Sequence, residues 1–351
     1  MKTLYDISWQ VDEPTYRADP SYSYSLLSKF DREGVEKIGS LREKTESKSL
    51  RLGSAVDAIL TGGEAEFNNH FVIANIKYIT DKFEKSVREL FNKFNGIRWE
   101  NIPGDALLEA IVDIKYQSST WQPSTRVNDF EKKGGAIYYN ALVDAEKKQV
   151  LTQEEYKNVL MWVDALRNSA NTAWYFIEDS PFESETDITR EYQLKFKDVY
   201  HGVSYRCMMD LAITDHKNKI VYPCDLKTSY HLETEFPESF IKWNYYHQAR
   251  LYWRILRNIM DKDPYFREFY LADYRFIIVS TSNPNPNPMI WEYKDTQKRG
   301  MLVYGENNNI VFNDPYILGE RLWYYENILP NTNPEINRNN LNSITDYLNK
   351  L

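Results

Sequence analysis

The stretch VSYRCMMDLAITDHKNKIVYPCDLKTS, residues 203–229, decides the fold. Two runs rich in β-branched and aromatic residues flank the polar tetrad DHKN (215–218), a pattern that predicts a β-hairpin. Pairing Lys217 with Asn218 at the turn places Asp215 opposite Ile220 and Asp210 opposite Asp225. Directly opposed residues share a face, with Cα atoms roughly 5 Å apart. Period-2 alternation adds Lys227 to that face and turns Leu211, Ile213, Cys224 and Leu226 to the other. Two carboxylates at about 5 Å repel by roughly 3 kcal/mol at an effective dielectric near 20, so the arrangement needs a cation. Lys227 offsets part of the charge and a divalent metal the rest. Oxygen ligands beside an ammonium suit Mg²⁺ or Mn²⁺ and phosphate chemistry. The competing reading is a solvent-facing Asp/Asp/Lys cluster on an exposed hairpin.

Working outward, TREYQLKFKD (189–198) alternates polar with Tyr192, Leu194 and Phe196 and reads as a strand. YRFIIVST (274–281) reads as a buried strand, with MIWEYK (289–294) as its partner across the NPNPNP loop (283–288). Between them a long helix is expected at about 238–260. Gln248 and Tyr252 lie one turn apart on its face carrying Leu251, Ile255 and Ile259. An amide and a phenol on a buried stripe both need polar partners, a satisfied core Gln being the plainer alternative.

Towards the N-terminus, SYSYSLLSKF (21–30) opens a helix that Ser25 can cap, with Leu26, Leu27 and Phe30 as its apolar face. A second helix covers SLRLGSAVDAILT (49–61), stopped by Gly62-Gly63. Gly53, Val56, Asp57 and Leu60 fall on one stripe of it, so Asp57 is either paired, capped or metal-bound, or wet in a helix rotated away from the core. Residues 64 to about 175 show mostly helical spacing, and Thr152 with Glu155 forms a capping-box pattern opening a helix near 152–170. The order of elements predicts an α/β fold with a mixed central β-sheet flanked by helices. It is expected as one domain over 1–330 with a helical insertion at about 64–185, then an Asn-rich linker (331–340) and a short C-terminal helix.

The 351 residues carry 43 Lys+Arg against 51 Asp+Glu, a net charge of −8 that argues against a basic nucleic-acid coat but leaves room for a local basic groove. With 42% hydrophobic residues the chain is not a disordered one. No apolar run is long enough to span a membrane, and MKTLYDISWQVDEP lacks the apolar stretch of a signal peptide, so a cytoplasmic protein is expected. Cys207 and Cys224 are too few for a four-thiolate iron–sulfur cluster. The five histidines form no zinc motif, and P-loop and dinucleotide fingerprints are absent. The 27 Tyr and 9 Trp offer base-stacking surfaces, although aromatics also fill cores.

Taken in chain order, these pieces resemble the PD-(D/E)XK nuclease superfamily, and within it the RecB-like branch that includes phage recombination exonucleases of the RecE and lambda exonuclease kind. GSAVDAIL (53–60) is similar to the first motif, and Asp210 ends a strand pattern similar to the second. CDLKTS (224–229) matches the D-x-K motif with its usual Leu and Thr, here Leu226 and Thr228. QARLY (248–252) matches the following Q-x-x-x-Y, and SYSYSLLSKF looks like the Ser-rich opening of phage members. The likeness covers about residues 20–300.

The resemblance implies a restriction-endonuclease-like core and a metal-dependent deoxyribonuclease, that is, a phosphodiester hydrolase. It gives Asp210, Asp225 and the Leu226 backbone carbonyl to Mg²⁺ or Mn²⁺, with Asp57 as a further metal ligand where the branch often has His. Lys227 would orient or help deprotonate the attacking water, Gln248 would support the site, and Tyr252 would fix its helix or contact DNA. Glu191 stands as an extra upstream carboxylate, with Glu185 competing for that role. The implied activity is exonucleolytic cleavage from double-stranded DNA ends in phage-type recombination or end processing. Implied partners are DNA, a single-strand annealing or recombination protein, and further copies in a homo-oligomer. A structure-specific endonuclease and a catalytically silent DNA-end-binding protein remain as alternatives.

Overall fold

The hairpin forms in the register that its turn dictates. In the computed structural model, which describes residues 1–43, 47–177 and 187–329, strands β1 (Ile188–Tyr200), β2 (Val203–Asp215) and β3 (Ile220–Ser229) run antiparallel to one another in sequence. The β2–β3 ladder runs from Asp215 opposite Ile220 to Leu211 opposite Cys224. Strands β4 (Tyr270–Leu271), β5 (Tyr274–Ser280) and β6 (Met289–Tyr293) complete a six-stranded sheet of order β1-β2-β3-β5-β6, with β4 also on β3. β5 pairs parallel to β3 and antiparallel to β6, so the sheet is mixed. Glu185 and the Asn-rich segment with its terminal helix lie outside the described residues.

A parallel β3–β5 pair requires a crossover. Here it contains the helix Tyr245–Lys262, which lays Ala249, Leu251, Tyr252 and Ile255 on the sheet in one core with Phe196, Cys207, Met209, Phe276 and Ile278. Burying each such Leu, Ile or Phe is worth about 1.5–3 kcal/mol. Four helices matter below: α1 (Tyr24–Glu33), α2 (Lys48–His70), α3 (Tyr245–Lys262) and α4 (Pro315–Asn327). Of these, α1 and α4 pack on α3. The architecture is α/β, a central mixed sheet flanked by helices.

The chain divides into two compact units. One comprises Met1–Thr45, Ala170–Ser282 and Asn287–Leu351 and holds the sheet; the other comprises Glu46–Ser169 with Asn283–Pro286. The second is helical, with one short parallel pair, Phe71–Ile73 against Gln149–Leu151, and a core that includes Val87, Ile111, Phe130, Tyr138 and Tyr139. Its helix Gln153–Asn168 opens on the expected Thr152/Glu155 capping box.

Two local expectations change, and a third holds in a modified form. Ser23, not Ser25, caps α1, accepting from the Leu26 N–H; the alternating SYSYS offers three serines, and the cap falls two residues earlier. The expected stop at Gly62-Gly63 is present as a break inside α2: Gly63 leaves helical geometry at φ 66° and ψ −157°, and a second helical segment then runs on to His70. The helix expected at 238–260 is two, Phe236–Lys242 and α3, separated by Trp243 and a left-handed Asn244 at φ 56°.

Candidate active site

From Val203 to Met209, the odd residues of β2 point into the core beneath α3. Past Asp210 the phase reverses. Leu211 pairs with Cys224, which alternation puts on the face opposite Asp225. β1 reverses at the same level: its ladder with β2 skips Gln193 and Asp210 between Tyr192–Leu211 and Leu194–Met209, and Gln193 is left-handed at φ 52°. A non-glycine residue in that conformation costs about 1–2 kcal/mol.

The reversal aims Asp210 between the strands. Its Oδ2 accepts the Leu226 N–H at 2.9 Å, standing where a ladder carbonyl would otherwise be. The direct cross-strand Asp210–Asp225 pair expected from alternation is therefore corrected. The β2–β3 ladder ends one residue short of it, and β3 continues along β5, with Asp225 opposite Phe276 and Lys227 opposite Ile278. Since β1 occupies the other edge of β2, the edge that β3 leaves is taken by Tyr22. Its N–H donates to the Ser204 carbonyl at 2.9 Å and its carbonyl accepts the Arg206 N–H at 3.0 Å, which sets α1 beside α3.

Asp225 is 1% exposed. Its Oδ2 receives the Lys227 ammonium, two residues along the same strand face, and its Oδ1 receives the Gln248 amide from α3. The Lys227 Nζ also lies 4.8 Å from the centre of the Tyr245 ring and 6.0 Å from that of Phe276, a cation–π enclosure. Burial works against this ammonium, but Asp225, then Tyr245 and Asp210, outweigh it and hold its pKa well above the usual lysine value.

Gln248 is buried, and its amide nitrogen faces Asp225, so its Oε1 is the atom left over. That oxygen is buried and has no hydrogen-bond partner among the described residues. A buried acceptor without a donor costs about 1–3 kcal/mol. It lies next to the Asp225 carboxylate as an acceptor that no described residue meets.

The other expected residues fall as follows. Tyr252 is 7% exposed and packs edge-on against Tyr24 and Tyr274, so it anchors α3 in the core and presents no surface to DNA; burial foremost drives its pKa far up. Thr228 is half-buried in the β3–β5 ladder opposite Val279. Glu191 is corrected as a metal ligand: its two oxygens accept the backbone N–H groups of Leu4 and Tyr5 at 2.9 and 2.7 Å, capping the N-terminal turn, and burial raises its pKa. Asp57 belongs to the helical unit, half-buried on α2 between Val56 and Ala58. Among the described residues no three His, Cys, Asp or Glu side chains gather as a metal-binding group. Within the sheet unit, Asp210 and Asp225 both act on the Lys227 ammonium, and Asp210 also holds the Leu226 N–H.

One buried set escaped the sequence reading. Asp314 caps α4 through the Tyr316 N–H and accepts Arg254 at 2.8 and 2.7 Å and Arg250 at 3.1 Å. Arg250, fully buried, also donates to the carbonyls of Lys298 and Asn313. These bonds tie the segment before α4 to the helix that carries Gln248. The i, i+4 spacing of the two arginines was the available signal, but charged residues read by default as exposed.

No family model and no curated protein matches the chain. Among solved structures, a protein of Eubacterium rectale described as a candidate exonuclease is similar at 13% identity and a TM-score of 0.39, over 92% of this chain and 85% of its own. At that score neither fold nor activity transfers from one to the other.

Proposed function

We propose that this chain is a metal-dependent deoxyribonuclease of the PD-(D/E)XK kind, a phosphodiester hydrolase acting on double-stranded DNA ends. The observation that carries the reading is the buried Asp225 gripped by Lys227 and Gln248, with the Asp210 carboxylate on the neighbouring Leu226 N–H. These residues fit a hard divalent ion: the donors are all oxygen, and the orphaned Gln248 Oε1 is a further acceptor for hydrating water. Asp210, Asp225 and the Leu226 carbonyl would hold Mg²⁺ or Mn²⁺. When bound, such an ion supplies Lewis-acid polarisation of the phosphate and a more acidic water.

The chain's own contribution follows from its geometry. Gln248 fixes the Asp225 carboxylate from the helix side. Lys227, held protonated by its neighbours, orients water through its N–H donors and offsets the charge that grows on the scissile phosphate. In-line attack at phosphorus would release a 3′-hydroxyl and leave a 5′-phosphate. In a cell such end processing would supply single strands to an annealing or recombination protein.

Linear and closed circular duplex DNA incubated with Mg²⁺ tests the proposal, with Asp225→Ala and Lys227→Ala alongside wild type. Degradation of the linear form by wild type alone is expected. Identical behaviour of all three on every DNA form would sink the nuclease reading, and cutting of closed circles would move it to an endonuclease.

A further inference from the structure

We propose that Trp243 is the platform on which one base of the bound DNA strand stacks, with Arg32 and Lys242 beside it for the backbone phosphates. This rests on the nuclease reading and adds a binding residue to it.

Trp243 and Asn244 form the corner between the helix Phe236–Lys242 and α3. The corner is held from several sides. The Trp243 carbonyl accepts from Ser28 Oγ at 2.9 Å, the Tyr24 hydroxyl at 3.1 Å and Arg32 Nη1 at 3.4 Å, all on α1. Its N–H donates to the Ser239 carbonyl at 3.0 Å, and the Asn244 amide donates to Asp31 at 3.3 Å. Against this fixed backbone the indole remains 44% exposed. The exposure is a feature of an ordered corner, unlike that of a fraying end.

Two cations lie over the indole, Arg32 Cζ 5.6 Å and Lys242 Nζ 5.2 Å from its ring centre, while the Asp31 carboxylate at this corner is taken up by Asn244, Tyr246 and His247. The chain as a whole is acidic, at −8, so two cations on one exposed aromatic run against the overall balance. Two residues further on, the Tyr245 ring packs on the Lys227 ammonium. Consecutive Cα atoms are about 3.8 Å apart, so the Cα atoms of residues 243 and 245 are within about 7.6 Å. Tyr24 joins the two ends, its hydroxyl on the Trp243 carbonyl and its ring 6.3 Å from that of Tyr245. A fixed π-face with adjacent cations is what single-strand binding sites use, because every base stacks and every nucleotide carries a phosphate.

The test is fluorescence anisotropy of a short fluorescein-labelled DNA single strand in EDTA, where no cleavage competes, with wild type, Trp243→Ala and Trp243→Phe. Trp243→Ala is expected to weaken binding about tenfold and Trp243→Phe far less. A second arm uses wild type alone, with each base in turn replaced by an abasic residue. One position should cost about tenfold, and Trp243→Ala should be insensitive to it. Equal affinities for wild type and Trp243→Ala, or no sensitive position on wild type, would overturn the assignment while leaving Mg²⁺-dependent cleavage, assayed separately, to judge the nuclease reading. A wild type that neither binds nor cuts DNA would overturn both.

Discussion

In the helical unit, Glu84 receives Arg51 on both oxygens, at 2.5 and 3.0 Å, and Arg88 and the Tyr138 hydroxyl on one, each at 2.8 Å. Glu155 beside it takes Arg51, Lys48 and the Thr152 N–H. In the sheet unit, Asp225, equally buried, has a single donor on each oxygen, and the amide that supplies one of them keeps an unmet acceptor of its own. Burial raises the pKa of Glu84, but Arg51 and its neighbours overturn that and push it down to about 2. The two clusters use the same chemistry to different ends. Glu84 is saturated by permanent cations, whereas Gln248 beside Asp225 keeps an acceptor that no described residue meets, which in the proposed reading a bound ion with its water completes.

The sharpest way to break the comparison is to remove each carboxylate's charge. Asp225→Asn should lower Mg²⁺-dependent cleavage by about a thousandfold, roughly 4 kcal/mol of barrier, with native near-UV circular dichroism retained. Glu84→Gln should instead destabilise the fold by about 3 kcal/mol in urea unfolding, since it leaves Arg51 buried without its main partner. Any activity lost by Glu84→Gln should return under stabilising conditions. The pH dependence separates the two further. Because the folded pKa of Glu84 is depressed from about 4.5 to about 2, its contribution is complete above about 4.5 and disappears as pH falls through about 2. The stability gap between wild type and Glu84→Gln should therefore close over that window. A gap that persists at pH 2 would deny the saturated cluster its role. The smallest effect is expected from Gln248→Leu, which removes one donor from Asp225 and the orphaned oxygen together. Calorimetric Mg²⁺ affinity should fall about tenfold.

How far these features could be read from sequence differs between the two sides of Asp210. The β2–β3 register followed from the polar turn and the alternation, and both held up to Leu211–Cys224. The reversal at Gln193 and Asp210 was invisible, because the left-handed strand residue is a glutamine and not a glycine. It is this reversal that moves Asp210 from facing Asp225 to holding the Leu226 N–H. Likewise the corner at Trp243–Asn244 has no Pro or Gly to announce it, and only the tolerance of Asn for left-handed backbone hinted at a break. Gln248 was legible because a polar residue on an apolar stripe must have a partner. Arg250 and Arg254 on the same helix were not, because what satisfies them arrives from residues 298–314, far along the chain.

A crystal soaked in Mn²⁺ and measured for anomalous scattering tests the central claim most directly. The account predicts one peak coordinated by the carboxylates of Asp210 and Asp225 and by the Leu226 carbonyl, lost in Asp225→Asn. No peak there, or a peak held by other residues and unaffected by that substitution, would contradict it.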